Sequence, residues 1–315
     1  MCLKSQARWL DAVCDGLRHQ RYSVGSSDAP LNLALISTRL FGRFLVSLPY
    51  VNSAGVDGLD TDIAHTLISE ACDLADHLDV QYLELRNEAR FDHPRLNHCR
   101  TDKVHMRLHL AKSDTELDSG FKSKLRSQIR KAGSHGHQIE IGSHKLLDDF
   151  YHIFAVNMRD LGTPVFSKQL FGSILSTFRG DAEICIVKNK GIAVAAALLV
   201  HNDGKTEVPS ASSLRDWNHT GANMWMYRQL LGRAIERGSH TFDFGRSSQD
   251  SGTYKFKAQW GAQPHPATWQ YYVRTGSVED MRPDSAKNKR RIEVWKQLPV
   301  WLTKIIGPPI VRGIP

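Results

Sequence analysis

The residues best suited to chemistry lie close together in the last third of the chain. Phe242-Asp243-Phe244-Gly245-Arg246-Ser247-Ser248 leads into Gly252-Thr253-Tyr254-Lys255-Phe256-Lys257-Ala258-Gln259-Trp260-Gly261. On a strand, Phe242 and Phe244 point into a core and Asp243 to the other face. Gly245 is expected to end that strand, so Arg246 falls at its carboxyl end, where open α/β sheets place their ligands. Ser247 to Gly252 then form a polar loop that opens a helix, a natural place for an anion. Phe256 and Trp260 are four apart and share a helix face, where they would wall a pocket, while Lys257 lies three after Tyr254. A lysine beside apolar walls has a lowered pKa or holds an anionic intermediate as a fixed cation. The plain alternative is structural: Asp243 and Arg246 form an ion pair that pins the strand end, and both lysines sit in solvent. A second, weaker cluster is Ser210-Ala211-Ser212-Ser213, with Asn223 opening the following helix. Its small residues leave room for a substrate backbone, although loops of this composition are commonly no more than loops.

Other chemistries find little support. No GxSxG, HExxH, P-loop or Rossmann glycine pattern occurs. Asp92, His93, His98 and Cys99 lack the spacing of a tetrahedral zinc site, and His105 and His109 share a strand face without a third ligand, so no metal is expected. The five cysteines are scattered and never form CxxC, which fits a reducing compartment and a cytoplasmic location. The first apolar stretch is interrupted by Arg8, Asp11, Asp15 and Arg18, unlike a secretory signal. The longest apolar run, Ile192 to Val200, is far too short to span a bilayer. At 315 residues, 41% hydrophobic and 23% charged, the chain is globular and long enough for two domains. The net charge of +8 is gathered in two places. Residues 119–137 carry Lys122, Lys124, Arg126, Arg130 and Lys131 without an acid, and residues 282–315 carry eight basic and two acidic residues. The remaining body is mildly acidic. Such patches suit a phosphorylated donor, an RNA or an anionic bilayer, and the plain reading is a solvated helix face plus a basic tail.

These residues need a frame. Apolar spacing predicts helices over 6–17, 61–78, 121–132, 145–159, 167–178, 221–237 and 252–260. It predicts strands over 31–36, 39–48, 80–85, 103–110, 137–141, 182–188, 192–201, 206–210, 240–244 and 268–274, with a turn at Ser37-Thr38. Asn189-Lys190-Gly191 and Asn202-Asp203-Gly204 read as hairpin turns. Residues 280–291 read as a linker, and 292–306 as a last helix disturbed by Pro299. That helix, with Trp295 and Trp301, either docks on the sheet or lies on a membrane surface with its lysines toward headgroups. From His137 onward the order β-α-α-β-β-β-α-β-α-β is that of the GNAT acyltransferase fold, a mixed α/β sheet flanked by helices. The first half has a similar, less regular order. The expected division is a GNAT-like domain over 1–136, a second over 137–278, and a basic linker and tail over 279–315.

The motifs also resemble a known family. FDFGRSS followed by GTYKFKAQWGA is similar to the C-terminal signature of FemAB-related proteins, a branch of the GNAT superfamily. The resemblance extends to Phe41–Val56, Lys124–Gly142, Asn157–Phe171 and Leu298–Pro315, and is particularly close for the branch associated with PEP-CTERM/exosortase and exopolysaccharide gene sets. It implies two tandem GNAT-like domains and an N-acyltransferase that moves an acyl or aminoacyl group to an amine on a cell-envelope or exopolysaccharide precursor. It assigns Lys257 to the donor carbonyl or oxyanion, places Asp243 on the strand beside that site, and matches the basic helix of Lys124, Arg126, Arg130 and Lys131 to the helix opening the second domain. On this reading Lys257 and Asp243 are catalytic. Arg246, Ser210, Ser212, Asn223, Tyr254, Phe256 and Trp260 contact substrate, and the basic helix contacts the donor. Lys257→Ala is expected to abolish transfer with little loss of stability. The expected donor is aminoacyl-tRNA or acyl-CoA, with no tightly bound cofactor. The expected partners are a small-molecule, glycan or peptide acceptor, charged tRNA and the inner-membrane surface, but not DNA. Two departures stand out. The loop 214–222 has Arg215 and a single glycine, Gly221, in place of the R/Q-x-x-G-x-G/A loop that cradles CoA pyrophosphate in ordinary GNAT enzymes. Asn52-Ser53-Ala54-Gly55 replaces a glycine pair of relatives. The alternatives are a catalytically silent GNAT-like scaffold for a glycan or lipid precursor, and a tRNA-binding protein.

Overall fold

A computed structural model describes residues 3–278 and 286–314. In chain order the elements are α1 (Leu3–Leu17), β1 (Gln20–Val24), β2 (Leu31–Thr38), β3 (Gly42–Val46), α2 (Thr61–His77), β4 (Tyr82–Asn87), β5 (His98–His109), α3 (Asp114–Gly120), α4 (Ser123–Gly133), β6 (Gln138–Gly142), α5 (Leu147–Leu161), α6 (Lys168–Thr177), β7 (Ala182–Asn189), β8 (Ile192–Asn202), β9 (Lys205–Ser213), α7 (Ala222–Glu236), β10 (Thr241–Ser248), α8 (Gly252–Ala258), β11 (Gln263–Val273), α9 (Ala286–Lys296) and α10 (Val300–Val311). The strands form one mixed sheet in the order β1-β2-β3-β4-β11-β5-β10-β9-β8-β7-β6. This is the mixed α/β, GNAT-like architecture expected from the element order.

The same unit occurs twice. Three antiparallel strands, a helix and a parallel fourth strand make β1-β2-β3-α2-β4 and again β7-β8-β9-α7-β10. The fifth strands then cross over: β5 pairs with β10 of the second half, β11 pairs with β4 of the first, and the two pair with each other. The halves therefore interlock at the sheet centre. Leu117 of α3, Leu125 of α4 and Phe121 between them pack with Met226, Leu230 and Phe244 of the second half. Trp9 and Val13 of α1 pack with Phe150, Phe171 and Phe178, again from the second half.

Apolar cover is divided between the two faces. Alternation puts Val104 and Met106 of β5 and Phe242 and Phe244 of β10 in one cluster, with the α2-covered cluster of Leu33, Leu83 and Leu85 beside it. On the other face, one cluster centres on Trp9 and Phe171 and another on Phe44, Tyr82 and Trp269. Between these last two, the central strands present polar residues.

Several expectations need correction. β1 and α3 have no strong apolar period and were not foreseen; α3 starts because Ser113 accepts a bond from Glu116 N. The β2–β3 turn falls at 39–41 rather than at Ser37-Thr38. Gly245 does not end β10, which continues to Ser248. The linker expected over 280–291 is helical from Ala286, and residues 280–285 lie outside the described residues. The final helix is two helices, because Pro299 sits at the N-cap of α10 instead of inside it. Both hairpin turns form as expected, with Lys190-Gly191 and Asp203-Gly204 at positive φ.

The crossing of α1 over α6 depends on Gly16: a Cβ there would lie 2.5 Å from Leu170 Cα. We expect Gly16→Ala to destabilise the protein by about 1–3 kcal/mol through overpacking. Chemical denaturation checks this, and an unchanged midpoint would show that the helices part without cost.

Candidate active site

β9 and β10 run parallel at the centre of the sheet, and they separate. Their last paired residues are Glu207 and Asp243. Immediately afterwards both strands are irregular. β9 shifts register against β8 between Glu207 and Ser210, around Pro209, which has no N–H to give a ladder. β10 shifts against β5 between Asp243 and Arg246, with Gly245 at φ +77°. Asp243 Oδ1 accepts from Gly245 N at 2.8 Å, and Lys257 of α8 donates to the carbonyls of Gly245 and Arg246 at 3.1 and 3.0 Å. A carboxylate on one side and a lysine on the other thus fix the bulge.

The separation opens a cleft lined by Trp9, Tyr50, Asn52, His105, Lys205 and Asp243, among others. It is narrow, with about 420 Å³ of empty space counted out to its mouth. It is a slot, suited to an extended chain or a flat group. Its floor is charged. Arg107 Nε donates to Asp243 at 2.9 Å, and its Nη1 donates to Glu88 at 2.7 Å. Ser53 Oγ donates to Glu88 at 2.7 Å. Lys205 pairs with Glu207 and lies 3.9 Å from Asp243. Burial opposes ionisation of both carboxyls, but Lys205 and Arg107 outweigh it at Asp243, and the Arg107 and Ser53 bonds bring Glu88 down to about 2. His105 is 1% exposed, and its Nε2 has no hydrogen-bond partner among the described residues. Burial, with Asp243 opposing it, pushes its pKa down to about 4, so the imidazole is neutral near pH 7. Burial likewise brings Lys257 down to about 8 and Arg246 to about 10.

A strained loop covers the cleft. Leu48 and Tyr50 adopt positive φ (55° and 73°), uncommon for side-chain-bearing residues. Arg86, buried and paired with Glu84 at 2.7 Å, holds this loop by donating to Val51 O at 2.7 Å. Tyr50 bonds Ser210 at 2.9 Å, and Trp269 Nε1 donates to Asn52 O at 3.3 Å. Gly55 is required: a Cβ there would lie 2.0 Å from Asn87 Oδ1.

The residues singled out in the sequence divide into several groups. Asp243 lines the cleft, with Lys257 and Arg246 at its bulge. The expected Asp243–Arg246 pair is absent. Asp243 bonds Arg107 instead, and the Arg246 guanidinium stacks 3.7 Å from the Trp269 ring centre. Lys255 is in solvent, but Lys257 is not. Ser210 reaches the covering loop through Tyr50, whereas Ser212 accepts from Asn157 of α5. Phe256 and Trp260 do not wall this cleft. They pack with Tyr227 and Phe121 in the cluster behind the sheet, alongside Tyr254. Asn223 lies in the first turn of α7, and Lys124, Arg126, Arg130 and Lys131 form an exposed face of α4. His105, Arg107, Glu88, Lys205 and Tyr50 were missed. The alternation of His105 and Arg107 opposite Val104 and Met106 was the available signal, and it reads as a solvent face until β10 and the covering loop bury it.

The loop before α7 contains a 3-10 turn over Arg215–Thr220 and not a glycine cradle. α4 packs against it, since a Cβ on Gly221 would lie 2.9 Å from Ala132 Cβ.

Comparison with known proteins agrees with this architecture. Residues 119–258 match the acetyltransferase (GNAT) domain family. The whole fold is similar to the crystal structure of FemX, with TM-score 0.63 and 15% identity, covering 92% of this chain and 93% of that one. It is also similar to L-PGS from Bacillus licheniformis, with TM-score 0.60 and 14% identity, covering 97% of each chain. No curated protein matches in sequence.

Two outcomes follow from this geometry. Lys257→Met strands two bulge carbonyls, so it is expected to cost about 1–3 kcal/mol in chemical denaturation, contrary to the small effect expected from the sequence. A melting curve like that of the wild type would show that the bulge holds itself. His105 binds a proton near pH 6.5 when unfolded but only near pH 4 when folded. The unfolded state therefore holds more protons in that window, and stability present above pH 6.5 is lost as pH falls toward 4. His105→Gln is expected to lose less stability than the wild type over the same window; equal losses would exclude His105 as a source.

Proposed function

We propose that this chain is an aminoacyl transferase that moves an acyl group from an ester donor to an amine acceptor on a cell-envelope precursor. The observation that carries the reading is a neutral His105, its Nε2 without a hydrogen-bond partner among the described residues, lining the same slot between separated parallel strands as the ionised Asp243. The GNAT fold and the likeness to FemX and L-PGS support acyl transfer. The precursor, and the exopolysaccharide-associated branch, rest on the resemblance in the motifs.

Attack of the amine nitrogen on the donor carbonyl forms the N–C bond and a tetrahedral oxyanion. The attacking nitrogen becomes far more acidic, and His105 Nε2 takes its proton. Asp243 stabilises the resulting imidazolium while staying ionised through Arg107 and Lys205. Collapse breaks the carbonyl–oxygen bond, and the imidazolium returns the proton to the departing alcohol. Lys205, half-buried in the slot lining, is a fixed cation available to the oxyanion. Lys257 acts through the main chain, because its hydrogen bonds to Gly245 and Arg246 fix the backbone beside the reacting atoms. It is a positioning residue on this reading.

Packing of α4 over the α7 N-terminus favours an aminoacyl ester over acyl-CoA as donor. The exposed basic face of α4 provides phosphate contacts for a charged tRNA. Transfer from charged tRNA to an amine-bearing precursor tests the proposal. His105→Ala is expected to lower kcat by about 10²–10⁴-fold with an intact fold, and binding of tRNA to weaken as salt rises. Saturable binding of acetyl-CoA without binding of tRNA would overturn the donor assignment, and wild-type turnover in His105→Ala would remove the base.

A further inference from the structure

The last helix has its amphipathicity reversed, and α9 before it adds one large exposed apolar residue. On α10, Thr303, Gly307 and Val311 recur every four residues and face the protein. The contact is close, since a Cβ on Gly307 would lie 2.8 Å from Val165 N. The large apolar residues point away: Trp301 is 65% exposed and Ile305 63% exposed, with Pro309 next on the same stripe. On α9, Val294 is 55% exposed while Trp295 is buried. α9 docks at the end of α5, where Gly162 meets Ile292.

Single exposed hydrophobics are ordinary. Here they concentrate. Of the eight large hydrophobics exposed among the described residues, three are on α9 and α10. Two more adjoin these helices: Leu161, beside Gly162, and Leu40, in the β2–β3 turn whose Thr38 and Phe41 pack against Gly313. The charge of this stretch of sequence is mostly of one sign. Residues 282–315 hold eight basic and two acidic side chains, and one of the acids, Glu293, is paired with Lys296. Arg290, Arg291 and Arg39 are exposed. An apolar stripe containing tryptophan, flanked by arginine and lysine, complements an anionic bilayer: the rings enter the headgroup boundary and the cations meet lipid phosphates. No helix among the described residues is long and apolar enough to cross a membrane, so the contact is peripheral.

We propose that α9 and α10 form a membrane-docking face that seats the protein on an anionic lipid surface through Trp301, Ile305 and Val294. This goes beyond the transfer reaction and does not depend on it.

The test is co-sedimentation of the full chain with phosphatidylcholine vesicles containing about one quarter phosphatidylglycerol, compared with phosphatidylcholine alone. The wild type is expected to bind the anionic vesicles and to bind less at about 0.5 M than at about 0.1 M salt. Both side chains are exposed, so the double variant Trp301→Glu, Ile305→Glu is expected to keep its melting temperature and to lose at least about tenfold in partitioning. Brominated lipid is expected to quench wild-type tryptophan fluorescence more than that of Trp301→Phe. Failure of the wild type to sediment with anionic vesicles would overturn the proposal, as would equal binding by the double variant. A concentration-dependent dimer abolished by the double variant, without vesicle binding, would assign the face to a second copy instead.

Discussion

Arg107 is held between two carboxylates from opposite halves of the chain, Glu88 following β4 and Asp243 on β10. Much of the central architecture depends on that bridge. Removing one partner of this partly buried bridge leaves a charge short of its hydrogen bonds, at a cost of about 1–3 kcal/mol. The bridge sits where β9 and β10 part, a place where a parallel sheet would otherwise lose ladder bonds without replacement. Asp243 serves twice, accepting from Arg107 and from Gly245 N, so the ion network and the bulge are one device.

The exchange of fifth strands explains why the charges are there. β5 carries His105 and Arg107 from the first half into the second, next to Asp243. β11 carries Trp269 the other way, next to Arg86 of β4. Each half therefore completes the other's polar centre. The two apolar clusters on that face stop short of it, and the loop carrying Tyr50 and Asn52 closes the gap. Its positive-φ residues are held by bonds to Arg86, Ser210 and Trp269, consistent with strain maintained by a surrounding structure that over-determines it.

Burial sets the chemistry of this centre more than residue type does. His105 is neutral because it is desolvated, whereas Asp243 is ionised because two cations outweigh the same burial. Such a divergence between neighbouring groups separates a proton acceptor from a fixed charge. Lys257 shows the same rule at the bulge, where burial lowers its pKa and its protons bond main-chain oxygen.

The sequence by itself determined most helices, most strands, both hairpin turns and the facing of Phe242, Asp243 and Phe244, because apolar period and turn chemistry are local. It also drew attention to Asp243 and Lys257, through a motif in which polar residues interrupt aromatic ones. Gly245, read in the sequence as a strand end, and Pro209 mark irregularities whose form as bulges only the pairing of neighbouring strands shows. Only the tertiary structure decided that Asp243 meets Arg107 and not Arg246, since their positions are set by strand register between distant segments. The same holds for Phe256 and Trp260, whose shared face could equally have lined a pocket or a core. His105 was legible only as one member of an alternating strand. Its burial and its unpartnered nitrogen arise from elements that chain order places far away.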